Sequence, residues 1–294
     1  MDKRQIQDLL SGFSIETTVR ESQRVERFAD HVPAGTCLYL AHVPGTEPND
    51  TVALARRVRA EGLEPVPHVV ARRIASLTAL DGFLGRLVGE AGVRQVLVVA
   101  GDIATPEGEL ESALQILDSG LLEKHGIRKL GVAGHPEGHR DVSAPVLQDA
   151  LKRKNEYARR TGAEVYVATQ FTFAAEPVAA WEAANGPDVN QLPFMVGVPG
   201  LATIKTLLKY ALECGVGPSI HAVSRHAANL TKLVTVAAPD EMLVGLARYK
   251  EANPQTRLAG VHFFPFGGMK RTADWVAKLL RGDFELTRNG LKVA

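Results

Sequence analysis

The sequence predicts an α/β fold, a single-domain (β/α)8 barrel spanning residues 1–294. Three observations predict it. Short β-rich apolar runs alternate with helical patterns along the whole chain, and such alternation implies a parallel sheet. The runs number eight, at a spacing near one βα unit, which points to a closed barrel rather than an open sheet. No Gly-x-Gly-x-x-Gly follows the first run: Ser14-Ile15-Glu16-Thr17-Thr18 has no glycine turn for a pyrophosphate, which argues against the doubly wound alternative.

Taken in order, a short amphipathic helix leads, and residues 13–19 read as the first strand. Residues 21–29 follow as a charged helix. The apolar run 36–43 ends in His42 before a Pro44-Gly45 turn, and 50–61 is helical. Residues 64–70 form a third strand carrying His68, with a helix to about Gly89. Arg-Gln-Val-Leu-Val-Val-Ala at 94–100 is the fourth, ending at Gly101-Asp102, with a loop and helix to Ser119. The fifth strand is 127–134, before a long polar helix at 142–160. The sixth, 163–171, is the most telling: near-continuous apolar residues, as in a strand buried on both faces, stop at the uncharged amide of Gln170. A helix at 175–185 precedes the seventh strand, 192–198, which ends at Pro199-Gly200. Two or three helices cover 203–253, the eighth strand is 258–264, and 271–280 is the closing helix.

The net charge of +1 offers no electrostatic footprint for nucleic acid or an acidic membrane surface. No apolar run approaches the roughly 18–20 residues of a membrane span, and the polar start Met1-Asp2-Lys3-Arg4-Gln5 leads into no signal segment. Cys37 and Cys214 are too few for a disulfide framework and lack ligand spacing. Together these predict a cytoplasmic globular protein. Helical faces rich in Leu and Ala serve a core or a homo-oligomer interface equally well.

The polar residues worth chemistry fall at strand ends, where α/β folds place ligands. In the first strand the period of two sets Phe13, Ile15 and Thr17 on one face and Ser14, Glu16 and Thr18 on the other. If the apolar face packs under helices, Glu16 points into the barrel near its mouth, where apolar walls suit it to general-acid work. The bland reading is an ion pair with Arg20 or Arg72 at the rim. Asp102 is either a second acid at the same mouth or a turn residue after Gly101.

Gly131-Val132-Ala133-Gly134-His135-Pro136-Glu137-Gly138-His139 ends the fifth strand. Its two early glycines admit a flat ligand close to the backbone, and His135 and His139 can donate to oxygens. Pro136 and Gly138 deny the helix that would align the two imidazoles on a metal, and no third ligand is evident, so no metal is predicted. Thr169 and Gln170 offer a hydroxyl and a two-way amide to a heterocycle, against the reading of a buried Gln satisfied by backbone. A histidine such as His68, in Pro65-Val66-Pro67-His68, is more often a satisfied core residue than a catalytic one.

Collectively these residues resemble the methylenetetrahydrofolate reductase family, from Ser14 to about Leu280. The pieces are Ser14-Ile15-Glu16, Pro67-His68, Gly101-Asp102, Ala133-Gly134-His135-Pro136-Glu137-Gly138-His139, Gly162-Ala163 with Ala168-Thr169-Gln170-Phe171, Val198-Pro199-Gly200 and Gly260-Val261-His262-Phe263. The resemblance implies a barrel holding FAD along its strand ends. The implied reaction interconverts 5,10-methylenetetrahydrofolate and 5-methyltetrahydrofolate, with NAD(P)H reducing the flavin, in service of methionine synthesis or of methyl oxidation. By the same resemblance Glu16 is the general acid, Asp102 the acid between flavin and pterin, and Gln170, with Thr169, the substrate contact. His68, Asp102, Ala133, His135, His139, Asp149 and Lys154 match cofactor positions. Ala100 stands where the family usually carries Arg, and Phe264-Pro265-Phe266-Gly267-Gly268 replaces its usual eighth-strand loop. A flavin-free relative passing hydride directly from nicotinamide to folate, and a non-catalytic folate-binding barrel, are the alternatives. All of this expects positions 16, 102 and 170 to converge at one barrel mouth.

Overall fold

The structure, a computed structural model, describes residues 2–216, 234–288 and 290–293. The barrel strands are β1 (Ser14–Thr18), β2 (Cys37–Ala41), β3 (Glu64–Val70), β4 (Gln95–Val99), β5 (Lys129–Gly134), β6 (Glu164–Phe171), β7 (Phe194–Pro199) and β10 (Leu258–Phe264). They close into a parallel barrel in the order β1-β10-β7-β6-β5-β4-β3-β2, with helices alternating between them. Short β8 (Ala202–Thr203) and β9 (Val236–Ala237) pair antiparallel outside the barrel. The part of the expected 203–253 helical span that falls on 217–233 lies outside the described residues. Among the described residues no helix is long and apolar enough to cross a membrane.

Contacts group the chain into two compact units. A central unit comprises Glu16–Ala133 and Asp149–Ala168, and a terminal unit comprises Met1–Ile15, Gly134–Gln148 and Thr169–Ala294.

In the central unit, β2 pairs with β3, β3 with β4 and β4 with β5, all parallel. The period of two sorts their side chains. Tyr39, Val66, Leu97 and Ala168 cluster on one face with Cys37, Val99 and Tyr166, while Leu38, Leu40, Val69, Val96 and Val98 are buried at alternate positions. Helices α3 (Pro48–Ala60) and α4 (Leu77–Ala91) pack on one another, and α3 also packs on β2 and β3. The expected close approach at Gly131 is real but has a different cause. A Cβ there would lie 2.9 Å from Leu97 Cδ1 and 3.0 Å from the Tyr166 ring, so the glycine makes room for core side chains rather than for a ligand.

The expected helix at 21–29 is replaced by one turn, α2 (Val19–Ser22), and a 3-10 turn at Phe28–Asp30. The reason is competition for backbone groups. Arg57, on α3, donates to the carbonyls of Ser22, Val25 and Glu26, and Glu61 accepts from the amides of Phe28 and Ala29. Groups that a continuous helix would pair internally are spent on distant side chains.

In the terminal unit, α1 (Lys3–Leu10) begins with a capping box between Asp2 and Gln5. It packs on α10 (Asp240–Ala252), α11 (Met269–Arg281) and β10. A C-terminal hairpin, β11 (Phe284–Leu286) with β12 (Leu291–Val293), was not legible in the sequence: three-residue strands carry too little alternation to read. Phe171, Phe173, Phe264 and Phe266 gather with Tyr210 from α9 (Ile204–Glu213), Tyr210 and Phe266 stacking with centroids 4.2 Å apart.

Candidate functional site

The central unit carries the carboxylate that the sequence singles out. Glu16 and His68 each stand two residues before the C-terminal end of their strand. Glu16 Oε2 lies 3.9 Å from His68 Nε2, and the two side chains are 15% and 14% exposed. Strand β2 separates β1 from β3 in the sheet, so side chains that meet across it lie on the barrel's inner face. The period-two reading of β1 therefore holds, and His68 is a partner of Glu16 on that face. Arg72 donates to the carbonyls of Ile103, Ala104 and Glu111 and fixes the loop after β4.

Tyr39 of β2 sets its ring edge-on to His68, centroids 6.1 Å apart, and its hydroxyl is hydrogen-bonded to that of Tyr166. Burial pushes the Tyr166 phenol well above the ordinary range, so that phenol stays neutral. Sequence reasoning assigned neither tyrosine a role. Their only signal was the alternation of aromatic and apolar residues in the second and sixth strands.

Asp102 occupies a different environment. Gly101, with φ of 100°, turns the chain where a Cβ would meet Val70 Cγ1 at 2.6 Å. The Asp102 side chain is 91% exposed, with Arg73 Nη2 3.9 Å from Oδ1. Arg73 also binds Glu107 at 3.1 Å. Burial, and then the Arg73 guanidinium, hold the His42 imidazole below its ordinary value.

Lys154 is the other buried charge of this unit. It reaches in from α7 (Ala144–Thr161) and donates to the Ala133 carbonyl at 2.8 Å. Desolvation lowers its pKa to about 8. No carboxylate lies within ion-pair distance of it among the described residues. Asp149, earlier on the same helix, is exposed.

In the terminal unit the fifth strand runs out into a turn, as Pro136 and Gly138 require: the Gly138 amide donates to the His135 carbonyl. The His135 and His139 rings meet edge to face, centroids 5.4 Å apart, and His139 Nδ1 accepts from the Asp141 amide at 3.1 Å. Gln170 lies at the end of β6, and its Nε2 donates to the Cys214 carbonyl at 2.6 Å. Thr169, expected to face a substrate, is 1% exposed. Its hydroxyl donates to the Gln170 carbonyl and accepts from the Gly197 amide, both at 2.9 Å, so it is committed to the sheet. His262, quoted above only as part of a motif, has a buried partner: its Nδ1 is 2.9 Å from Ser14 Oγ.

Comparison with known proteins comes down to architecture. No family model matches the chain. An uncharacterized protein from Clostridium thermocellum that binds two copies of 5-methyl-5,6,7,8-tetrahydrofolic acid superposes with a TM-score of 0.59. The match covers 95% of this chain and 97% of that one at 12% identity. A phosphonomutase-like protein from Burkholderia cenocepacia J2315 aligns over 78% of this chain and 96% of that one at 16% identity, with a TM-score of 0.44. The likeness is one of fold.

Also in the terminal unit, a cavity of about 440 Å³ is lined by Phe173, Gly200, Ile204, Leu207, Asp240 and Met242, among others. Burial, and then Glu241, push the Asp240 carboxyl up to about 6, and its buried Oδ1 has no hydrogen-bond partner among the described residues. None of the expected site residues lines this cavity.

Proposed function

We propose that the chain binds a reduced folate at the C-terminal ends of its barrel strands and interconverts 5,10-methylenetetrahydrofolate and 5-methyltetrahydrofolate, with a flavin mediating hydride transfer to or from NAD(P)H. The observation that carries this reading is the mostly buried Glu16 carboxyl beside an imidazole on the barrel's inner face. The family resemblance gives that position the role of general acid. The folate bound by the Clostridium thermocellum protein of like fold supports the choice of substrate.

In this reading Glu16 delivers its proton to the folate nitrogen that leaves the methylene carbon. The carbon–nitrogen bond opens and the carbon is left as an iminium on the other nitrogen. Proton transfer from a placed carboxyl is worth roughly 10²–10⁴ in rate. Asp102 adds a negative charge that favours the cationic iminium, with Arg73 orienting it. Gln170 presents an amide that reads a donor–acceptor edge of the pterin once its bond to the Cys214 carbonyl is exchanged.

The residues of the central unit fit an anionic cofactor. A desolvated ammonium that meets only a carbonyl, as Lys154 does, gains from a phosphate brought beside it. Lys154, Ala133, Asp149 and His68 would hold the flavin dinucleotide there, and the same role is proposed for His135 and His139 of the terminal unit. When bound, the flavin supplies the hydride.

The test is the spectrum of the purified chain under anaerobic conditions. The reading expects a flavin band that bleaches with NADH or NADPH and returns on addition of 5,10-methylenetetrahydrofolate. A colourless protein that still oxidises the nicotinamide in the presence of folate replaces the flavin with direct transfer. Folate binding without turnover leaves a folate-binding barrel, and neither binding nor turnover removes the reading altogether.

A further inference from the structure

The Glu16–His68 pair raises a question that a lone general acid leaves open: once Glu16 has given its proton away, what restores it? The carboxyl is 15% exposed and sits on a barrel face whose other side chains are largely apolar. There a carboxylate is costly to leave uncompensated. The group placed to compensate it is His68, with Nε2 3.9 Å from Oε2. That separation is one small side-chain rotation from a hydrogen bond, and such contacts commonly tighten only when substrate excludes water.

Glu16 is an ionisable neighbour of His68 at close range. On β4 its register partner is apolar Leu97. From β2 comes Tyr39, whose ring edge meets the imidazole and whose hydroxyl is hydrogen-bonded to Tyr166, a phenol that burial keeps neutral. The charged groups at the strand ends, Arg73, Asp102 and Glu107, pair with one another, and Asp102 is turned to solvent.

We infer that His68 is a positioning residue for Glu16, holding the carboxyl on the inner face and returning its proton after each turnover. The step balances without a co-reactant. Glu16 loses its proton to the substrate nitrogen and becomes a carboxylate. The imidazolium of His68 gives the Nε2 proton to Oε2 and becomes neutral, and solvent water reprotonates the imidazole. This inference rests on Glu16 being the acid of the proposed reaction. It assigns His68 a task that contact with a cofactor does not require.

The pairing is tested on the full chain without substrate. The imidazole of His68 is followed by ¹⁵N-edited NMR at fixed pH, its signal identified by its loss in His68→Gln. In Glu16→Gln, loss of the neighbouring carboxyl should move the ring-nitrogen signals of His68. In His68→Gln, the ¹³C carboxyl signal of Glu16 should move likewise. The second variant keeps the test open if the first does not fold. Signals that do not move in either variant overturn the inference, whatever the chain catalyses. Coupled signals in a chain that turns over no folate would instead remove the proposed reaction and leave the pairing in place. With folate turnover in hand, His68→Gln should lower kcat rather than raise KM and should shift the pH profile. A change in KM alone overturns the proton-returning role.

Discussion

Lys154 Nζ donates to the carbonyl oxygen of Ala133 at 2.8 Å, a neutral partner for a lysine buried in the central unit. The arrangement makes a prediction about stability that needs no ligand. The folded chain releases this proton near pH 8, whereas an unfolded lysine keeps it to about 10.5. Between those values the unfolded state binds more protons, so stability climbs as pH rises through the window. Below the window the buried charge costs up to about 3 kcal/mol. Lys154→Met should therefore be more resistant to urea than the parent at neutral pH and should flatten the climb. Equal midpoints on both sides of the window would refute this account of the lysine.

Asp240 predicts the opposite slope at acid pH. Its folded value is raised to about 6 from 3.8, so the folded state keeps a proton that the unfolded chain has lost. Stability should fall as pH rises from about 3.8 to 6, and it has no contribution from this group below that range. Asp240→Asn should remove the fall. Thermal melts across the window measure it, and a variant that tracks the parent contradicts the buried carboxyl.

Gly131 tests the packing of the central unit. Gly131→Ala places a methyl 2.9 Å from Leu97 and 3.0 Å from Tyr166, and overpacking of this kind costs about 1–3 kcal/mol. The denaturant midpoint should drop with an unchanged slope. A neutral substitution would mean that Tyr166 moves freely, at odds with its hydrogen bond to Tyr39.

Much of the barrel was legible because a buried strand writes its period into the sequence. The strands at Glu64–Val70 and Leu258–Phe264 begin and end where the apolar runs do. The run 21–29 misled because its helical look was local, while Arg57 and Glu61, far along the chain, capture its backbone groups. The site divides in the same way. That Glu16 faces inward follows from alternation within β1. That His68 is its partner follows from strand order and register, which no single strand encodes. The solvent exposure of Asp102 likewise depends on the Gly101 turn and on Arg73, neither of which the strand-end position reveals.

Glu16→Gln separates binding from chemistry. It removes the transferable proton and keeps the shape of the side chain. Folate-dependent turnover should fall by roughly 10²–10⁴, while affinity for 5-methyltetrahydrofolate changes little. Stopped-flow rates beside equilibrium titration distinguish the two, and parallel losses in both would deny Glu16 the role of acid.

The most direct test of the central claim is calorimetric titration of the purified chain with 5-methyltetrahydrofolate under anaerobic conditions. Saturable binding that weakens in Gln170→Leu is the predicted result. The absence of any saturable heat, with no protection of the chain against thermal unfolding by the same ligand, would contradict the claim that this barrel works on reduced folates.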